Sequence, residues 1–308
     1  MRISQLVKRK SSQWLFGLVL LSLVWALGSN VYARERVAAG NGNHFLWSMQ
    51  TEKNSIYFLG SIHLLKKDSY PLAAAIENAY EDCTSIVFEA DLDAMKDPGF
   101  QALMLSLGLY PEGQTIEQDI SRETYEALKE KVKSAGLPMA QFSRFKPWIF
   151  GQTLTVIELQ RLGFNVMYGI DTYFYSKARK DKKKMIFLES AEYQLKLLGE
   201  MDRNDQENFL RQTLKDLEVI EEMASDMLNA WEAGDVESLD EMINISFEDY
   251  PEIYDRLVTG RNRAWISKIS SLAHQDGNVL VIVGAGHLIG KESVLDLLEE
   301  RGYEIRQR

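Results

Sequence analysis

Apolar and polar positions alternate from His44 to Gln50, break at the polar turn Glu52 to Ser55, and resume from Ile56 to Gly60. That period of two predicts a β-hairpin. After Pro71 the spacing of apolar residues lengthens to that of a helix as far as about Asp82, and the β-branched and aromatic run Ser85-Ile86-Val87-Phe88-Glu89 follows as a buried strand. A strand, a helix and a strand in this order predict two parallel strands joined by a crossover.

From Leu92 to about Ser246 the pattern is mostly helical, punctuated by Gly113, Gly136-Leu137-Pro138, Gly163, Gly169 and the strand-like run Met185 to Leu188. Leu210, Leu214, Leu217, Ala224, Met227 and Trp231 recur on one face and predict a single long helix with one buried stripe. Lys146-Pro147-Trp148 reads as a helix start whose indole packs in the core. A further helix runs from about Tyr254 to Ala273, before the wholly apolar strand Val279 to Val283. A helix at Glu292 to Glu300 and a short strand at Tyr303 to Arg306 close the chain. The class expected is α/β, with a mixed α+β arrangement as the variant. The sheet is central, mixed and mainly parallel, flanked by helices, with a largely helical middle section. No repeat or linker divides residues 34–308, so they read as a single domain.

The N-terminus changes the picture. Arg2, Lys8, Arg9 and Lys10 precede an apolar run from Trp14 to Gly28 and the small residues around Val31-Tyr32-Ala33, the layout of a cleavable signal peptide over residues 1–33. Cleavage near Ala33 predicts a periplasmic or secreted protein with no stable membrane anchor. It also removes four of the 35 basic residues, leaving 31 against 45 acidic ones and a net charge of −14. Such a surface disfavours nucleic acid as a partner. The one cysteine, Cys83, cannot form an intramolecular disulfide and reads as a small buried hydrophobe.

Chemistry gathers at predicted strand ends, where open α/β sheets place their sites. His63 follows the second strand in Gly60-Ser61-Ile62-His63, Glu89 ends the third, and His287 follows the last apolar strand in Gly284-Ala285-Gly286-His287. The same four-residue pattern thus holds two of the chain's four histidines. Two imidazoles and a carboxylate suit zinc, manganese, cobalt or iron(II), although a lone strand-end histidine is more often structural. His44 and His274 lie in unremarkable contexts. Glu189, after the Met185 to Leu188 run, offers a second carboxylate or general base. Asp171 is either an N-cap or a proton acceptor. Arg261 and Asn262 are either donors to an oxyanion or substrate carboxylate, or members of a helix-packing ion pair.

The chain resembles the TraB/GumN family (TraB/PrgY/GumN, YbaP-type). The resemblance rests on Phe58 to Leu64, Val87-Phe88-Glu89-Ala90-Asp91, Lys146-Pro147-Trp148, Gly169-Ile170-Asp171, Leu188-Glu189-Ser190, Arg261-Asn262 with Trp265, and Val283 to Leu288. Ser61 stands where many members have threonine. That family is similar to the animal Tiki metalloproteases and, more distantly, to erythromycin esterases and ChaN-like proteins. The resemblance implies an active-site set of His63, Glu89 and His287 around a divalent metal, and a hydrolase, in particular a peptidase, acting on a peptide or protein. The alternatives it leaves open are a non-catalytic periplasmic binding or regulatory protein, and haem or iron binding.

Overall fold

The computed structural model describes residues 43–308 except Asp249. The expected signal peptide lies outside the described residues, and among these no helix is long and apolar enough to cross a membrane. The fold is a mixed α/β arrangement around one six-stranded sheet. The hairpin is present as β1 (Leu46–Gln50) and β2 (Ser55–Ser61), and β3 (Ser85–Phe88), β4 (Lys184–Phe187), β5 (Val279–Gly284) and β6 (Ile305–Gln307) complete the sheet. Its order is β4-β3-β5-β2-β1-β6. The strands β4, β3, β5 and β2 run parallel, while β1 pairs antiparallel with both β2 and β6. The expected parallel relation of β2 and β3 holds, but the two do not touch: β5, from near the end of the chain, lies between them. Its sequence explains this position, since the first five of its six residues are buried and only a strand covered on both faces tolerates a run with no polar alternation.

Helix α1 (Ala74–Asp82) makes the crossover from β2. Between β3 and β5 the chain forms α2 (Pro98–Gly108), α3 (Arg122–Ser134), α4 (Met139–Phe142), α5 (Pro147–Arg161), α6 (Ile170–Asp181), then β4, then α7 (Ala191–Gly199), α8 (Arg203–Asp216), α9 (Ile220–Glu232), α10 (Val236–Phe247) and α11 (Pro251–Tyr254). A π-helical turn, Asp255–Thr259, joins α11 to α12 (Gly260–Leu272), and α13 (Val294–Glu299) precedes β6. Trp148 opens α5 and buries its indole, as expected, donating Nε1–H to the Leu107 carbonyl.

The stripe from Leu210 to Trp231 is not one helix. It breaks at Leu217 to Val219 into α8 and α9. Both halves bury apolar residues, so the pattern continues across a break that no glycine or proline marks.

Apolar side chains form two clusters. The larger packs on the sheet; the smaller lies among the middle helices around Leu128, Phe150, Leu154 and Leu210. Half-buried Met227, Leu228 and Met242 pack against both.

Candidate active site at the C-terminal edge of the parallel strands

Four parallel strands deliver their C-terminal ends to one edge of the sheet, and each is followed by a polar residue: His63 after β2, Glu89 after β3, Glu189 after β4, His287 after β5. Register brings them together. Ser61 lies opposite Gly284, Phe88 opposite Ile282, and Phe88 opposite Phe187. Glu89 therefore reaches Gly284, whose N–H donates to its Oε1 at 2.7 Å. A Cβ added to Gly284 would lie 3.4 Å from Glu89 Oε1, 3.5 Å from His63 Nε2 and 3.5 Å from His287 Cδ2. The three residues expected as a set thus surround one backbone position, and the glycine there leaves it open.

Each histidine is oriented by a partner from the helical segments. His63 Nδ1 meets Asp171 Oδ2 at 2.6 Å, and Asp171 Oδ1 accepts from the Ser61 hydroxyl at 3.0 Å. Asp171 is accordingly not the N-cap of α6; Gly169 holds that position, and the carboxylate of the helix's second residue points back to the sheet. Gly169 is required by close approach, since a Cβ there would sit 2.2 Å from the His63 carbonyl oxygen. His287 Nδ1 donates to Asn262 Oδ1 at 2.7 Å, which leaves Nε2 as the acceptor, and Asn262 Nδ2 in turn donates to the Glu292 carbonyl. A carboxylate or amide behind the ring nitrogen that does not face the site is the usual support for a histidine ligand.

Arg261 is the centre of the charge network. Its Nη2 donates to Glu89 Oε2 at 2.6 Å and to Glu189 Oε1 at 2.5 Å, its Nε to Glu189 Oε1 at 3.0 Å, and its Nη1 to His287 Nε2 at 2.9 Å and to the Leu257 carbonyl at 3.0 Å. The ion-pair reading of Arg261 is therefore what the structure shows, although the pair joins a helix to the sheet edge rather than one helix to another. The side chains of Arg261, Glu89 and Glu189 are each 7% exposed. Neutralisation of this kind is what permits charges at such depth. The guanidinium also stacks on Trp265, 4.7 Å from its ring centroid, and the same ring lies 4.5 Å from His287. The π-helical turn ends two residues before Arg261, a local irregularity common at functional sites.

Sequence reasoning missed two members of this network. Gln194 bridges Glu89 Oε2 and Glu189 Oε1 at 3.0 and 2.8 Å, and Trp265 donates to Glu189 Oε2 at 2.8 Å. Trp265 stood in the recognised pattern with no role attached; Gln194, an ordinary polar position near the start of α7, carried no signal.

The electrostatics follow from burial and neighbours. Burial disfavours the charged form of Glu89, but Arg261 and the facing histidines outweigh it and hold its carboxyl down at about 2. Burial and the Arg261 charge both keep His287 neutral, lowering it to about 3. For His63 burial works the same way, yet the Asp171 carboxylate overcomes it and raises the imidazole to about 9. His63 therefore carries a proton that a bound metal would have to displace.

The donor chemistry fits a divalent ion in two respects: two imidazoles with externally anchored Nδ1 atoms, and an ionised carboxylate between them. Two features oppose it: the proton on His63, and the Arg261 N–H that already takes the His287 lone pair. Among the described residues no group of three or more His, Cys, Asp or Glu side chains stands at metal-ligand spacing.

The pattern of the TraB/PrgY/gumN family matches residues 45–307. The chain belongs to that family. Among its relatives is the uncharacterized protein YbaP of Shigella flexneri, 27% identical over 85% of this chain and 96% of the relative; YbaP of Escherichia coli (strain K12) is 26% identical over the same shares. The metalloprotease TIKI2 of Xenopus tropicalis is 22% identical over 85% of this chain but only 59% of its own length. No solved structure matches. The family match spans every residue of the site, from His63 to His287.

Proposed function

We propose that this family member is a metal-dependent hydrolase of the cell envelope or periplasm, cleaving peptide bonds in a peptide or protein substrate. The observation that carries the reading is the shared design of the two histidines: each has Nδ1 anchored from behind, by Asp171 or Asn262, and each ring lies beside Glu89 at the sheet edge. The distant relationship to the TIKI metalloproteases supports it, and the signal-like N-terminus supports the location.

His63, Glu89 and His287 would hold the ion, with zinc, manganese or cobalt all compatible with the donors. A divalent ion in such a set polarises a scissile carbonyl and lowers the pKa of water. Arg261 faces the same space, but its N–H groups are all engaged by Glu89, Glu189, His287 and the Leu257 carbonyl, so it contributes its positive charge and the positioning of Glu89 and His287. Glu189 and Asp171 do not stand as free bases here. Glu189 is bonded to Arg261, Gln194 and Trp265, and Asp171 to His63 and Ser61, so both act as positioning residues.

The test is metal content by mass spectrometry on Arg34 to Arg308, purified without a His tag, beside His63→Ala and His287→Ala. Stoichiometric metal in the wild type, lost in both variants together with peptide hydrolysis, is the expected result. No metal after addition of manganese, cobalt or zinc would refute the reading. That outcome would favour a second one, a non-catalytic binding or regulatory protein, which the contact of Arg261 with both Glu89 and His287 supports.

A further inference from the structure

The cavity at this site is two-sided. One side is the polar sheet edge with His63, Glu89, Arg261 and His287; the other is formed by Leu159, Phe164, Met227, Leu228, Leu239 and Ile243. The second side carries no charge, and it comes from α5, the turn after it, α9 and α10, all within the helical middle of the chain. Two contacts fix it over the sheet edge: Trp231 of α9 donates Nε1–H to the Gly60 carbonyl at 2.7 Å, and Ile243 of α10 lies 3.3 Å from where a Cβ on Gly286 would be. Met227 and Leu228 are only half-buried although they touch both apolar clusters, so they retain apolar surface facing the cavity.

We infer that this wall is a side-chain pocket, and that the substrate is a peptide with a large apolar residue next to the reacting bond. The inference rests on the hydrolase reading and names its substrate class. Every charge in the cavity sits on the sheet side, so a charged side chain entering opposite would lose its hydration with no partner, whereas an apolar one gains by burial. Methionine at position 227 adds a surface that adapts to more than one apolar shape.

The experiment is a fluorescence-polarisation titration of labelled peptides Gly-Gly-X-Gly-Gly, with X as Leu, Met, Glu or Lys, against the wild type and against His63→Ala, with mass spectrometry of the wild-type mixtures for cleavage. Leu and Met peptides are expected to bind at least about tenfold tighter than Glu and Lys peptides, the scale of burying one such side chain. Met227→Lys should remove that preference and Met227→Leu should keep it. Equal binding of all four peptides, or no binding of the apolar pair, overturns the inference whatever hydrolysis is seen, and does so on the wild type alone. Apolar preference with no cleavage leaves the pocket standing and refutes the hydrolase instead.

Discussion

Arg261 shows at the scale of one residue why a buried network is easier to break than to weigh. It neutralises two carboxylates at once, Glu89 and Glu189. Arg261→Met should therefore destabilise the protein by about 3–5 kcal/mol, because the loss strands buried charge. Adding Glu89→Gln and Glu189→Gln should recover much of that loss, and urea unfolding of the two forms checks it. Cys83 gives a pH prediction. Burial, reinforced by the neighbouring Asp82 charge and opposed by Lys183, pushes its thiol up to about 12. The raised value means that the stability tied to the neutral thiol is present below about pH 9, the ordinary value, and is lost as pH rises from there towards 12. At pH 8 roughly one thiol in a thousand or fewer is ionised. Alkylation by iodoacetamide should accordingly be at least about a hundredfold slower in the folded protein than in urea, and equal rates would contradict the burial.

Among the elements, α6 is decided by its N-cap residue. Gly169 lets the helix start against the backbone of His63 and so delivers Asp171 to the imidazole. Gly169→Ala places a methyl against a carbonyl that cannot move without shifting the strand end, so a loss of about 1–3 kcal/mol is expected from overpacking. Thermal unfolding measures this; an unchanged midpoint would show that the approach is looser than described. The predicted elements themselves were legible wherever periodicity was strong, as in the hairpin, β3, β5 and the start of α5. The break between α8 and α9 was not, because an apolar stripe is blind to one irregular turn when both sides bury the same face.

For the whole molecule, the sheet and the helical wall differ in how firmly each is held. β5 is paired on both sides and buried along nearly all its length, whereas α9 and α10 belong to the helical middle, outside the sheet, and α9 faces the cavity with half-buried Met227 and Leu228. Amides of β5 should exchange with solvent only through global unfolding, and those of α9 and α10 through smaller openings, by native-state hydrogen exchange. Uniform protection would contradict this division. The sequence by itself determined the α/β class, the mainly parallel sheet and the placing of His63, Glu89 and His287 at strand ends, because periodicity and strand-end polarity are local properties. It also marked Asp171, Glu189, Arg261 and Asn262 without deciding what they do. Only the tertiary structure decided that β5 enters between β2 and β3, which sets His287 between His63 and Glu89, and that Arg261 joins both carboxylates while Asp171 turns back to His63. Those are matters of strand order and register between segments as much as 224 residues apart (287 minus 63), and no pattern along the chain records which distant strand fills a given gap.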